Sequence, residues 1–151
     1  MPSIFNSSGR CRISFSAQMV SSASCSAHVA SWFHTLRRSS NGKGASVPTG
    51  ETEFQFHSAG FNFHSIAYEW LVVSGPKAQY KGTGTINGAG SFKFLLTVTD
   101  GQVAGGGGVD KFRLKVTDGS AVVYDNVMGA PDDLTTANPQ AISSGSIVIH
   151  K

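Results

Sequence analysis

Apolar and polar side chains alternate along most of this chain. In RISFSAQM (12–19), Ile13, Phe15, Ala17 and Met19 fall on one side and Arg12, Ser14, Ser16 and Gln18 on the other. A period of two is the signature of a strand with one face buried. ETEFQFH sets Phe54 and Phe56 against Glu53, Gln55 and His57, and GFNFHS repeats the scheme with Phe61 and Phe63 against Asn62 and His64. The intervening SAG reads as a short connection. IAYEWLVV (66–73) is the most apolar strand, and Gly75-Pro76 ends it. KAQYKGTGTI (77–86) and SFKFLLTVT (91–99) flank NGAG and form a hairpin with a Gly-containing turn. DKFRLKVTD (110–118) and AVVYDN (121–126) flank Gly-Ser and form another, and SIVIHK closes the chain as a last strand. HVASWFHTL (28–36) fits a strand or a short helix equally, SSASCSA (21–27) a loop or weak strand, and RRSSNGKG (37–44) a polar turn.

The pattern predicts eight to ten short strands with turn signals roughly every eight to twelve residues. It contains no long amphipathic helix and no crossover βαβ unit. The expected fold is therefore all-β, an antiparallel β-sandwich of immunoglobulin-like or jelly-roll-like type, with its phenylalanines between two layers. The length of 151 residues suits one domain spanning 1–151.

Charge divides the chain unevenly. Residues 1–44 carry Arg10, Arg12, Arg37, Arg38 and Lys43 and no acid, a balance of +5; residues 45–151 carry seven basic and nine acidic side chains, a balance of −2. Basicity is local, which argues against a nucleic-acid binder. No run approaches the ~20 apolar residues of a membrane span. The first ten residues lack a positive start followed by an apolar stretch, so no secretory leader is expected there. Cys11 and Cys25 lack CxxC spacing and make no zinc site; whether they pair is left open, with two unpaired thiols the simpler reading.

From about Gly44 onward the chain resembles a module found at the C-terminal ends of secreted and surface-attached bacterial proteins, often beside adhesion-type repeats. The resemblance rests on GASVPTGETEFQFHSAGFNFHSIAYEWLVVSG, AQYKGTGTINGAGSFKFLLTVTDG, VDKFRLKV, VVYDN and the ending SGSIVIHK. It implies a β-rich extracellular module and brings no catalytic set with it. Similar modules carry a Phe/Tyr/Lys-rich strand just before ASVPTG, where this chain has SWFHTLRRSSNG. Residues 1–44 are thus expected to be an atypical segment, an altered start that still supplies strands, ahead of a family-like core at 45–151.

Candidate chemistry centres on TDGQVAGGGGVDKFR (99–113). A phosphate loop needs Gly-Lys-Ser/Thr and then a helix, and Val109, Asp110 and a strand follow instead. GGGGVDKFR (105–113) does fit the nonapeptide of calcium-binding β-rolls. Calcium takes six to eight oxygens, so Asp100, Asp110, Asp118, Asp125, Asp132 and Asp133 are the candidate calcium ligands. The simpler reading is a turn whose aspartates start it. His57 and His64 occupy equivalent places in neighbouring strands, with Glu53 on the same face, and are candidates for a transition metal. No G-x-S-x-G elbow occurs. Tyr68, Trp70, Tyr80 and Tyr124 offer an aromatic strip for sugar rings, although most are expected in the core.

The leading expectation is a non-catalytic extracellular β-sandwich module for binding, adhesion or support, with calcium stiffening the Gly-rich loop. The competing classes are a small calcium-dependent hydrolase of an ester or lactone, and a carbohydrate-binding module. An unpaired sheet edge would favour a homo-oligomer.

Overall fold

A computed structural model of the chain describes residues 10–21, 25–31, 36–37, 53–56, 60–142 and 144–150. It contains β1 (Arg10–Ser21), β2 (Cys25–Ser31), β3 (Leu36–Arg37), β4 (Glu53–Phe56), β5 (Phe61–Ser74), β6 (Lys77–Ile86), β7 (Ala89–Thr99), β8 (Lys111–Asp118), β9 (Ala121–Asp125), β10 (Gln140–Ala141) and β11 (Ser144–His150). The protein is all-β, with no helix among the described residues, and so none there long and apolar enough to cross a membrane. Every pairing is antiparallel. The strands run in the order β10-β8-β7-β6-β5-β4-β2-β1-β11, with β3 beside β1 and β9 beside β8.

The ambiguous stretch from Cys25 to Ser31 is a strand, β2, paired with β1 on one side and β4 on the other. Its register bears on the cysteines. Cys25 pairs with Ser21, while Cys11 lies at the far end of β1 beside Leu36. Ten residues of strand separate Ser21 from Cys11, roughly 33 Å at about 3.3 Å per residue. A disulfide needs Cα atoms about 4.4–6.8 Å apart, so this register keeps the two positions too far apart for one.

Consecutive hairpins link β4 to β9, and their turns follow local rules. Asn87 and Gly88, at φ 52° and 75°, join Ile86 to Ala89. Two consecutive positive φ angles are what a two-residue hairpin turn demands, and Asn-Gly supplies them most cheaply. Gly119-Ser120 joins the paired residues Asp118 and Ala121.

The stretches expected as two strands, GFNFHS (60–65) and IAYEWLVV (66–73), form a single strand, β5 (Phe61–Ser74). Two bulges explain why the pattern looked broken. Register shifts fall between Ser65 and Ala67 and between Tyr68 and Trp70. Each inserts one extra residue, so that two residues oppose one and the side-chain alternation slips by one. The inward positions therefore run Phe63, Ser65, Tyr68 and then Leu71 and Val73. Ile66 and Glu69 point to solvent.

The core lies on one face of the sheet. Cross-strand rows Ala78–Val98–Phe112 and Tyr80–Leu96–Leu114, together with Phe94 and Val116, are buried there with Phe63 and Tyr68. Phe94 is central, with ring centroids 5.2 Å from Phe63, 5.9 Å from Tyr68 and 6.0 Å from Tyr80, all steeply inclined. Such edge-to-face pairs add to the burial of apolar area. Glycines make room for the rings. A Cβ on Gly84 would lie 2.4 Å from Phe63 Cζ, and one on Gly82 would lie 2.1 Å from the Ala67 carbonyl oxygen and 2.8 Å from Phe94 Cε1. Ile147 and Ile149 of β11 belong to the same cluster, although β11 ends the strand order far from β6–β8. The sheet therefore curves enough to bring Ile147 and Ile149 against the inner face of β6–β8.

Truncating Phe94 to Ala is expected to cost about 3–5 kcal/mol, read by denaturant unfolding. Gly82→Ala should cost about 1–3 kcal/mol, because its new Cβ meets backbone that cannot rotate aside. An unchanged midpoint for either variant contradicts this packing.

Candidate functional site

The Gly-rich connection between β7 and β8 is a closed clasp. Asp100 and Asp110 stand at its two ends, and all four carboxylate oxygens accept backbone N–H bonds. Asp110 Oδ1 accepts from Gly101 and Oδ2 from Ile147, both at 2.7 Å. Asp100, itself buried, accepts from Gln102 on Oδ1 and from Ile149 on Oδ2, both at 2.9 Å. Two acceptors on the loop thus stand in for a neighbouring strand on the side of β11 away from β1. The loop's own turns are fixed by Gly106 N–H to the Val103 carbonyl (2.8 Å) and Gly108 N–H to the Gly101 carbonyl (2.9 Å). A Cβ on Gly106 would lie 2.0 Å from the Asp100 carbonyl oxygen. Gly106 is needed because backbone packs on backbone there, and Gly105, Gly107 and Gly108 because their φ angles are positive (88°, 82° and 77°).

A second carboxylate cluster forms around Arg113, which sequence reasoning missed. Its guanidinium is 2% exposed and makes a two-pronged contact with Asp125, Nε to Oδ1 at 3.0 Å and Nη2 to Oδ2 at 2.7 Å. It also donates to the carbonyls of Ala130, Pro131 and Ala137 and to Asp132. Arg113 therefore staples the polar 126–139 loop onto the outer face of β6–β8. Gln79 and Thr97, its row neighbours in register, complete the floor: Gln79 donates to Thr97 Oγ1 (2.9 Å) and to the Asp132 carbonyl (2.7 Å). Burial pushes the Asp125 carboxyl up, but hydrogen bonds from Arg113 and the Val127 N–H, with the Arg113 and Lys115 charges, hold it below the usual range. The Asp125 hydrogen bond raises Arg113 in turn, against the opposing effect of burial.

The remaining sequence candidates are dispersed. Asp118 is exposed beside its turn. Asp133 caps a turn by accepting from the N–H and hydroxyl groups of Thr135 and Thr136, and those hydroxyls hold its carboxyl well below the usual range. Asp132 Oδ2 accepts from Lys115 Nζ at 2.7 Å. Of the six aspartates, the fold thus brings together Asp100 with Asp110, and Asp125 with Asp132. His64 is exposed and lies directly across from Glu53; His57 lies outside the described residues. Among those residues no three His, Cys, Asp or Glu side chains are placed to share a metal.

The aromatic strip separates. Tyr68 and Tyr80 are in the core, and Tyr124 packs on Phe61 at 5.7 Å. Trp70 is different: the second bulge places it on the outer face, opposite Lys81, where it is half-buried. It forms one wall of an open groove of about 440 Å³ beside the edge of the 126–139 loop. Leu95 is the floor, with Lys81 and Lys115 as its register partners on either side, Lys93 and Thr117 in the next row, and Asp132 at the rim. An aromatic ring, an apolar floor and three lysines line this open groove. The sequence signal was the bulge-prone IAYEWL, in which strict alternation hides which way Trp70 faces.

No protein-family model, curated protein or solved structure matches this chain.

Asp110→Asn leaves one acceptor oxygen for two N–H donors and is expected to lower stability by about 1–3 kcal/mol. Chelator should leave the wild-type melting midpoint unchanged, since backbone N–H groups engage these carboxylates; a chelator-sensitive midpoint would place an ion at the loop. Arg113→Met strands the buried Asp125 charge and should cost about 3–5 kcal/mol, most of it recovered in the double variant Arg113→Met/Asp125→Leu. Because the folded Asp125 carboxyl is lowered, its contribution is complete above the unfolded value of about 3.9 and is lost as pH falls through the folded one. Melting below about pH 4 should therefore fall more steeply for wild type than for the double variant; parallel acid slopes would contradict the pairing.

Proposed function

We propose that this chain is a non-catalytic binding module whose ligand-binding surface is the outer-face groove around Trp70. Its architecture is read as a β-sandwich in which the β1–β11 half covers the β6–β8 half, supported by Ile147 and Ile149 sharing a core with Phe94 and Leu96. Its resemblance to C-terminal modules of bacterial surface proteins supports display outside the cell. The observation that carries the reading is Trp70 turned outward beside Leu95 in a groove whose volume matches the range of about 300–1,000 Å³ common for small-ligand sites. An indole face in such a setting stacks on the C–H face of a sugar ring. The acidic residues, in this reading, are structural. Asp100 and Asp110 close the sheet edge, and Asp125 balances Arg113.

Affinity electrophoresis through gels containing soluble polysaccharides tests the reading. Wild type is expected to be retarded by at least one of them, and Trp70→Ala to lose about tenfold or more in affinity, or about 1.4 kcal/mol, with its melting midpoint little changed. Fluorescence adds an independent check, since Trp70 is one of two tryptophans. Retardation equal in wild type and Trp70→Ala, or chelator-sensitive turnover of a chromogenic ester or lactone, would overturn the proposal.

A further inference from the structure

The lysines around the groove are not equivalent. Lys81 and Lys115 flank Leu95 in one cross-strand row, and Lys93 lies in the next row on the same face. Lys93 is thus a diagonal neighbour of both, at roughly 7–8 Å. Like charges close together on a sheet face repel, and opposite-charge pairs are favourable. Two are offset here: Lys81 by Glu69 at 3.6 Å, where the extra residue of the second bulge carries the carboxylate, and Lys115 by Asp132 at 2.7 Å. Lys93, exposed at the groove, has no carboxylate partner among the described residues. The groove holds one lysine without a carboxylate partner among the described residues, two strands from the outward indole.

That arrangement fits a ligand with one negative charge per ring and a C–H-rich ring face. Resting on the binding-module reading above, we infer that the groove recognises an acidic saccharide, a uronate whose ring stacks on Trp70 while its carboxylate pairs with Lys93. Polynucleotides fit less well. They need successive stacking platforms along a positive track, whereas the groove offers one aromatic ring on its outer wall, and residues 45–151 carry a net charge of −2. A lysine ammonium is a flexible point charge, able to follow a carboxylate on a saccharide that slides along the groove.

Polygalacturonate and its fully methyl-esterified form share a backbone and differ in charge, so they isolate the inference. In affinity gels the charged polymer is expected to retard wild type and the ester to retard it about tenfold less. Lys93→Ala should lose about tenfold with the charged polymer and nothing with the ester, and Lys93→Arg should retain binding. Retardation should fall in about 1 M salt, where screening acts over about 3 Å. Equal binding of both polymers, or a Lys93→Ala variant that binds like wild type, overturns the uronate assignment and leaves the binding module standing. Stronger Lys93-dependent retardation by dextran sulfate than by polygalacturonate overturns the carboxylate. Displacement of polygalacturonate by a single-stranded oligonucleotide at equal charge concentration overturns the saccharide. Failure of every polysaccharide, neutral or acidic, to retard the wild type overturns both this inference and the reading beneath it.

Discussion

A strand at the end of a sheet carries N–H and C=O groups that demand partners, and a buried carboxylate demands donors. The structure meets both demands at once. Asp100 and Asp110 take the Ile149 and Ile147 N–H groups of β11, which a further strand would otherwise have engaged. The rest of the architecture depends on this exchange. With β11 held beside the β7–β8 connection, Ile147 and Ile149 join the core that holds Phe112 and Phe94. The four consecutive glycines follow from the same constraint, because the loop that brings the two carboxylates side by side packs its backbone on itself at Gly106 and takes positive φ at Gly105, Gly107 and Gly108.

The outer face of the same strands is divided. Arg113 draws the 126–139 loop over Gln79 and Thr97 and shuts that part of the sheet away from water. The loop stops at Asp132, which meets Lys115 at the border. Beyond the border, Trp70, Leu95 and Lys93 stay open to solvent or half so. The groove is therefore bounded by the Lys115–Asp132 ion pair at one end and shaped by a bulge at the other. Stability and recognition fall to opposite faces of the same strands, which a period of two makes possible.

Much of the fold was legible because it is local. Strict alternation located β1, β4 and β6–β9, and Asn87-Gly88 and Gly119-Ser120 marked their hairpins. What was not legible is non-local. Two bulges made β5 read as two strands, because a slip of register looks the same as a break when only one chain is in view. Asp100 and Asp110 stood out together in the sequence, but their partners lie 49 and 37 residues away, and no local pattern points to them. Calcium was the natural expectation for aspartates around glycines. The N–H donors that engage them come from a strand whose place the sequence does not show. Arg113 carried a faint signal, a lone arginine at an outward position of KFRLKV with an acidic, proline-bearing loop to follow. Trp70 was grouped with tyrosines expected in the core, since its direction depends on Glu69 being an extra residue.

Amide hydrogen exchange followed by NMR addresses the clasp directly. The Ile147 and Ile149 amides should exchange as slowly as those of Leu96 and Leu114 in the central strands, and Asp100→Ala should release Ile149 more than Ile147. Rapid exchange at both positions in the wild type, at the rate of open edge amides, would mean that the carboxylates do not close this sheet.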